Sequence, residues 1–421
     1  MRLVLFVLAI AITQAGNFRA AAVKVDITPN DTQWLMGYAA RQSTGIHDRI
    51  YHRIVAMDDG ATQFFLVSSE LCVFSPAVYD EVAMELKQQL GIAPENFWWT
   101  VTHTHSAPEM GAPDVYNILL KGRSEHEWSR SYAALVKNKL MEGIKEARGK
   151  LAPAKLGIGA GTANANINRR AVDIDGKVSL GLNPDGPVDR QIGLIRLERL
   201  DGGLLALVAN YAMHGTVLGG KWLEVSGDGP GVVSDYVEKK LGAPMLYING
   251  AAGNLAPIYS VYDTARAGHL SQFGVLLGDK ILATYRGIAT VDEPVKLTVR
   301  EKFLETPRRE GLTWDSVLAK YGGQAASGTP TVRIPVRFLR LNDLVVWGAP
   351  LELFCEIAID VRNRSPFRNT FYFGYANGWL GYLPTAQGFK EGGYEPATSL
   401  VTGQAAEQLR SMVLATLDEL R

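Results

Sequence analysis

The sequence has few cysteines and no net charge, and both features exclude whole classes of protein. Cys72 and Cys355 are the only two cysteines in 421 residues, which is too few for a disulfide scaffold and leaves open whether they pair. Both lie in apolar segments that predict burial, and neither is beside a histidine or another base, so a cysteine nucleophile is not expected. The 43 basic and 43 acidic residues cancel, and no basic surface for nucleic acid is indicated. We therefore expect a small or neutral substrate.

Long apolar runs are absent except at the N-terminus. Residues 3–12 form an apolar run that follows a basic tip and precedes small residues. This pattern predicts a secretory signal peptide over residues 1–16, cleaved near Ala15 or Gly16, although a buried N-terminal strand is the alternative. The run is too short to span a bilayer stably, and no later segment is apolar enough to do so. The sequence thus predicts a secreted or periplasmic protein without a transmembrane segment, and it leaves the oligomeric state open.

Strand-like and helix-like stretches alternate from Ala20 onward, with no low-complexity linker between them. This alternation predicts an α/β fold, with mixed β-sheets flanked by helices in a multilayer sandwich, and a single domain over residues 17–421. Three predicted hairpins each lead to a polar residue, and a helix follows at least two of them, which indicates repeated β-hairpin-helix units unless the likeness is chance. Those polar residues are Glu70, His214 and Glu352. Helices are predicted at 77–90, 127–148, 231–241, 270–285, 355–363 and 403–420.

Two histidines follow a predicted apolar strand at residues 97–101. In an extended strand, side chains two residues apart lie on the same face, so His103 and His105 are expected to converge beyond the strand end. Converging imidazoles suit a metal ion, although a hydrogen-bonded pair at a turn is the plainer interpretation.

Two further strand ends carry groups that can bind a metal. His214 closes an apolar strand before a glycine, and Glu352 is a carboxylate at the end of another. A histidine bonded to a backbone carbonyl, or a simple salt bridge, would also account for them. A catalytic zinc typically has three protein ligands and one open position, and residues at strand ends are the natural candidates.

Several short motifs, in order, resemble the neutral/alkaline ceramidases and their bacterial relatives over roughly residues 20–400. They are HTHSAP at 103–108, NR at 168–169, NYAMH at 210–214, SGDGPG at 226–231, GAAGNLAP at 250–257, PLE at 350–352, GY at 381–382 and YE at 394–395. Each motif is weak alone, but together and in this order they are specific.

The resemblance implies a zinc hydrolase and assigns roles to individual residues. The implied Zn²⁺ ligands are His103, His214, Glu352 and Tyr382. The implied catalytic residues are His105, Arg169, Tyr394 and Glu352. His105 or Glu352 would transfer a proton to the leaving nitrogen, while Arg169 and Tyr394 would stabilise the oxyanion. Arg169 as a surface salt bridge and Tyr394 as a packing aromatic are the alternatives. Asn254, Ala256 and Trp379 are expected to contact the substrate.

The sequence departs from the family in two places. Ala256 stands where ceramidases carry a serine, and the chain ends at Arg421, where we expect no room for the C-terminal β-sandwich domain of longer members. We therefore expect the same metal centre with a smaller or more polar substrate than ceramide. Hydrolysis of an amide (N-acyl) bond is the leading hypothesis. An ester, lactone or glycoside substrate, with Trp379 and Tyr375 stacking on a sugar, is the second, and a noncatalytic secreted binding protein is the third.

Overall fold

The computed structural model describes residues 18–111, 114–259 and 267–421. The predicted signal peptide, residues 1–16, lies outside the described residues. Within them, the strands in chain order are β1 Arg19–Asp26, β2 Trp34–Leu35, β3 Arg41–Gln42, β4 Gly45–Ile46, β5 Tyr51–Asp58, β6 Gln63–Ser69, β7 Phe97–Val101, β8 Ala152–Thr162, β9 Asn166–Val172, β10 Val178–Asn183, β11 Gln191–Arg199, β12 Leu204–Tyr211, β13 Glu224–Val225, β14 Met245–Asn249, β15 Leu255–Pro257, β16 Leu297–Pro307, β17 Gly322–Gln324, β18 Pro330–Leu341, β19 Leu344–Gly348, β20 Glu352–Leu353, β21 Asn369–Phe373 and β22 Tyr382–Leu383.

The helices lie mainly outside the two large sheets. In chain order they are α1 Pro76–Leu90, α2 Asp114–Leu119, α3 Arg130–Gly149, α4 Asp228–Leu241, α5 Ala267–Leu270, α6 Asp279–Arg286, α7 Cys355–Arg364, α8 Ala386–Glu391, α9 Tyr394–Ala397 and α10 Ala405–Leu420. Among the helices that the structure describes, none combines the length and apolarity needed to cross a bilayer.

Two mixed sheets pack face to face between two layers of helices. The larger has eight strands in the order β14-β12-β11-β8-β1-β5-β6-β7, and the smaller has the order β16-β18-β19-β21, with β17 beside β18. Helices α3, α4 and α6 cover the outer face of the larger sheet, while α7 and α10 cover the smaller one. The fold is therefore a mixed α/β multilayer sandwich, as the sequence predicts.

The central strands are apolar on both faces because each face has a partner layer. In β6, Phe64 and Leu66 point into the core between the sheets, whereas Phe65 and Val67 point into the core beneath the helices. Successive side chains of a strand point to opposite faces, so a strand between two buried layers reads as a continuous apolar run rather than an alternating one.

Three hairpins lead through a helix to a further strand that is parallel to the hairpin's second strand. The hairpins are β5–β6, β11–β12 and β18–β19, the helices are α1, α4 and α7, and the parallel strands are β7, β14 and β21. Because parallel neighbours end at the same sheet edge, this connection collects strand ends at one place.

The helix predicted at 270–285 is interrupted in the structure. A π-helical turn, Gly274–Gly278, separates α5 from α6. A Cβ atom at Gly274 or Gly278 would lie 2.8 or 2.7 Å from the Tyr236 ring of α4. The glycines thus pack closely against the Tyr236 ring, and this tertiary contact accompanies the interruption of the helix. Side-chain periodicity alone does not predict it.

Candidate metal centre

The centre is built from the loops that follow β7, β12 and β19. The prediction that His103 and His105 share a strand face is wrong, because β7 ends at Val101 and His103 adopts a positive φ of 66°. The two side chains nevertheless converge, and their Nε2 atoms lie 3.1 Å apart. A bridge between Thr104 and Gly215 holds this turn against the loop of His214. A Cβ atom at Gly215 would lie 2.5 Å from the His103 carbonyl oxygen, so glycine is required for that contact.

Three buried donor groups meet at one point. Glu352 Oε2 lies 3.0 Å from His214 Nε2 and 3.4 Å from His103 Nε2. Ligands of a tetrahedral zinc ion stand about 2.0–2.1 Å from the metal and hence about 3.3 Å from one another. The spacing of the three donors therefore fits a shared ion of this size.

Backbone carbonyls orient both imidazoles for coordination. His103 Nδ1 donates to the Cys72 carbonyl at 2.9 Å, and His214 Nδ1 donates to the Ala252 carbonyl at 2.8 Å. With Nδ1 as the donor, each ring directs its Nε2 atom toward Glu352, where it can bind a metal ion in place of a proton. This is the arrangement by which proteins fix metal-binding histidines.

The cysteines are both free and buried. Cys72 Sγ lies 3.8 Å from His103 Nδ1, so the expectation that neither cysteine has a histidine neighbour is wrong for Cys72. The sequence separation of 31 residues conceals this contact. Since Nδ1–H is already donated to a carbonyl, His103 is not oriented to accept the thiol proton.

Two aromatic residues also hold the Glu352 carboxylate. Trp379 Nε1 donates to Glu352 Oε1 at 2.9 Å, and Tyr375 Oη donates to Oε2 at 3.2 Å. The Tyr375 ring also stacks on His103 with 4.3 Å between the ring centres. Both aromatic side chains are buried and engaged with the centre, in contrast to the expected sugar-stacking arrangement.

Tyr382 and Arg169 complete the cluster. Parallel pairing of β20 with β22 sets Tyr382 beside Glu352, and Tyr382 Oη lies 3.5 Å from His214 Nε2. Arg169 Nη2 donates to Tyr382 Oη at 3.1 Å, and its Nη1 lies 2.9 Å from His214 Nε2. Arg169 is only 7% exposed and pairs with Glu395 at 3.0 Å, so it is not a surface salt bridge.

Electrostatics at the centre favour a cation. Burial lowers the pKa of His103, but Glu352 and Cys72 outweigh burial and raise the pKa to about 10. Burial would raise the pKa of Glu352, but His103 and His214 hold it well below the usual range. Burial, together with Arg169, lowers the pKa of His214 to about 3. The buried carboxylate thus attracts positive charge to the position that a metal ion would take.

The other predicted site residues lie at different depths around this cluster. The half-buried Tyr394 in α9 has its ring 5.6 Å from that of Tyr382, while Ala256 is buried in β15, paired with Ile167. Asn254 Nδ2 donates to Glu356 at 2.7 Å, and its Oδ1 accepts the backbone N–H of Cys355 at 3.0 Å. Asn254 therefore ties its own loop to the first turn of α7 with both ends of its amide.

Sequence reasoning missed several residues beside the centre. Tyr38 packs its ring 4.8 Å from that of His105, and Arg41 donates to the His105 carbonyl. Tyr116 packs against Trp379 with 5.9 Å between ring centres. None lies in a motif, and only the fold brings them to the site.

The protein thus has an α/β fold, and its buried histidine–carboxylate cluster is a candidate metal centre at the strand ends. Residues 18–253 match the sequence model of the neutral/alkaline non-lysosomal ceramidase N-terminal region. Because this match spans more than half of the chain, the protein belongs to that family.

Individual relatives agree with this assignment. The neutral ceramidase of Pseudomonas aeruginosa is 23% identical over 91% of this chain and 69% of its own length. Neutral ceramidase B of Dictyostelium discoideum is 27% identical over 61% of this chain, which covers only 36% of that relative. The crystal structure of the Pseudomonas aeruginosa neutral ceramidase superposes with a TM-score of 0.79 at 20% identity, over 97% of this chain and 75% of that one. At such identity the structural likeness establishes the fold alone.

Proposed function

We propose that this protein is a zinc-dependent hydrolase that cleaves an amide (N-acyl) bond. The observation that supports it most strongly is that Glu352 Oε2 lies 3.0 Å from His214 Nε2 and 3.4 Å from His103 Nε2. Backbone carbonyls fix the orientation of both imidazoles. The named ceramidase relatives supply the expectation that the bond is N-acyl.

The donor set fits zinc. Two imidazoles, one carboxylate and the Tyr382 hydroxyl make a borderline set of nitrogen and oxygen donors, which suits Zn²⁺ better than a cation that prefers oxygen alone. When bound there, zinc supplies Lewis acidity toward a carbonyl oxygen and activates water for attack at neutral pH.

The protein's own groups orient the substrate and move the proton. Glu395 holds the Arg169 guanidinium in place, so that it and Tyr394 can donate to the developing oxyanion without reorganising. His105 or Glu352 is the proton carrier between water and the leaving nitrogen. Among the described residues, His105 Nδ1 is buried without a hydrogen-bond partner, and this free nitrogen favours His105.

The substrate is proposed to be smaller or more polar than ceramide because Ala256 lacks the hydroxyl of the family serine. We assign no separate function on sugars, since Trp379 and Tyr375 are engaged with Glu352 and His103. Residues 17–421 are proposed to form a single catalytic domain, exported by the signal peptide.

Metal analysis combined with a substrate panel tests this proposal. We expect one zinc per chain and turnover of N-acyl amides in preference to esters and glycosides. His103→Ala should lose both the metal and the activity, while His269→Ala, which alters a histidine packed on Tyr259, serves as the control. Absence of stoichiometric metal, or full activity of His103→Ala, would refute the proposal.

A further inference from the structure

The rim beside His105 and Tyr394 contains three tyrosines. Tyr38 packs its ring against His105, with 4.8 Å between ring centres. Tyr116 Oη donates to the Tyr38 carbonyl at 3.4 Å, and Tyr394 packs on Tyr382. These phenol groups form a polar wall that leads from the metal centre toward α2 and the segment after it.

Arg123 lies on this wall. Its half-buried guanidinium lies beside the Tyr116 and Tyr394 phenols, and its central carbon lies 5.9 Å from the Tyr394 ring centre. Within residues 18–111, 114–259 and 267–421, no carboxylate forms an ion pair with Arg123. Arg169 differs in this respect, since it pairs with Glu395.

Arg41 is a second cation of this kind and is only 9% exposed. One Nη donates to the His105 carbonyl, Nε donates to the Trp222 carbonyl at 3.3 Å, and the guanidinium carbon lies 4.8 Å from the Tyr38 ring centre. Its Nη1 is buried and has no hydrogen-bond partner in the described part of the chain. A buried guanidinium with an unused donor and no carboxylate is costly unless a ligand supplies an acceptor.

The two parts of the site thus differ in charge. At the metal centre Glu352 and Glu395 face Arg169, whereas the described neighbours of Arg41 and Arg123 on the rim are phenols and backbone carbonyls, with no carboxylate among them. Arginine is the residue best suited to bind the planar or tetrahedral oxyanions of carboxylates, phosphates and sulfonates. With a neutral substrate, neither cation would have a counter-charge from the part of the chain that the structure describes.

We infer that the substrate is an N-acyl amide that carries an oxyanion close to the scissile bond, with Arg123 and Arg41 as the groups that select it. This inference rests on the proposed amidase function and names its substrate class. Tyr394 contacts both groups, with the Arg123 guanidinium carbon 5.9 Å and the Tyr382 ring centre 5.6 Å from its ring centre. The oxyanion therefore lies a few bonds from the amide, as the carboxylate does in an N-acyl amino acid.

Three amides with the same acyl chain test the inference on zinc-loaded protein. The substrates are N-lauroylglycine with a carboxylate, N-lauroyltaurine with a sulfonate and the neutral N-lauroylethanolamine. We expect kcat/KM for at least one anionic amide to exceed that for the neutral one by tenfold or more. Arg123→Gln should reduce this ratio at least tenfold, and Arg123→Lys should restore part of it.

A control variant and a binding measurement make every outcome decisive. Arg130→Gln, which removes an arginine stacked on Trp128, should leave the ratio unchanged. Preference for the neutral amide, or an equal ratio in wild type and Arg123→Gln, overturns the inference. If no amide is turned over, the proposed function fails, and calorimetric binding of N-lauroylglycine against N-lauroylethanolamine to wild type and Arg123→Gln judges the anion preference separately. Preference for N-lauroylglycine alone would identify a carboxylate-binding site, and preference for both anionic amides would identify a general oxyanion-binding site.

Discussion

Glu70 and Glu352 are both fully buried carboxylates that follow a central strand, yet their surroundings differ in kind. Glu70 lies after β6 and accepts Arg53 Nη1 at 2.6 Å and the Tyr51 backbone N–H at 2.8 Å. Glu352 begins β20 after β19 and faces two imidazoles whose Nδ1 protons are donated to carbonyls. One carboxylate is neutralised by the chain itself, while the other is set up to receive a cation.

The difference distinguishes a carboxylate in an ion pair from one in a candidate metal centre. Glu70 sits in a closed ion cluster in which Arg53 also pairs with Asp235 and Glu238 of α4. Glu352 accepts hydrogen bonds from Trp379 and Tyr375 and faces the Nε2 atoms of His103 and His214. A carboxylate that faces two imidazoles held by backbone carbonyls indicates a cation site, whereas one beside a guanidinium indicates a structural ion pair.

Replacement of each of the two glutamates by glutamine should give the largest difference between them. Glu352→Gln removes the carboxylate that lies between the two imidazoles, so we expect loss of bound metal and a fall in amide hydrolysis of about 1000-fold or more. Glu70→Gln should keep the metal. Metal content by mass spectrometry and kcat/KM are the measurements. Equal metal content in the two variants would show that Glu352 is not a ligand.

Removal of the Arg53 guanidinium should affect stability and leave the metal centre intact. Arg53→Met leaves Glu70 buried without its main counter-charge, and we expect the free energy of unfolding to fall by about 3–5 kcal/mol. Arg19→Met, at a pair whose arginine is 46% exposed, should cost less than about 1 kcal/mol. Denaturant unfolding measures both values. A cost for Arg53→Met no larger than the control would mean that Glu70 is satisfied without it.

Loss of the indole donor to Glu352 should weaken the metal site without abolishing it. Trp379→Phe removes the N–H that holds Glu352 Oε1, and outer hydrogen bonds of this kind are worth about 10–100-fold in metal affinity. Competition with a chelator measures the change. Trp222→Phe is the matched control, because the Trp222 indole N–H has no acceptor among the described residues. Equal zinc affinity in both variants would contradict the assigned role of Trp379.

The smallest expected effect is the pH dependence of stability at Glu70. Burial raises the pKa of Glu70 to about 7 despite Arg53, and the Asp235 and Asp48 carboxylates act in the same direction. Between pH 4.5 and about 7 the folded state holds the proton more tightly than the unfolded chain, so stability falls as pH rises and then levels off.

Glu70→Gln removes this titration. The free energy of unfolding of the variant should rise relative to wild type by on the order of 1–3 kcal/mol from pH 4.5 to 8. Lys24, Arg53, Asp235 and Glu238 remain in both proteins, so the difference isolates Glu70. A difference that stays constant with pH would contradict the raised pKa.

Much of the fold follows from local features of the sequence. The helix predicted at 77–90 is α1, which begins after the Ser75 side-chain cap with Pro76 in its first turn, and Gly91 in a left-handed conformation ends it. The interruption between α5 and α6 was not predictable, because it accompanies the approach of Gly274 and Gly278 to Tyr236. The left-handed turn at His103 likewise depends on contact with Gly215, more than a hundred residues away.

The sequence by itself determined the apolar strands, the helix ends and the polar residues at strand ends, because these depend on side-chain periodicity and on backbone preferences within a few residues. It could not decide which strand-end carboxylate meets a guanidinium and which meets two imidazoles. Only the tertiary structure decided that, by pairing β5 with β6 around Glu70 and β20 with β22 beside Glu352. The physical reason is that burial makes the charge of a carboxylate depend on neighbours within a few ångströms, and those neighbours come from distant parts of the chain.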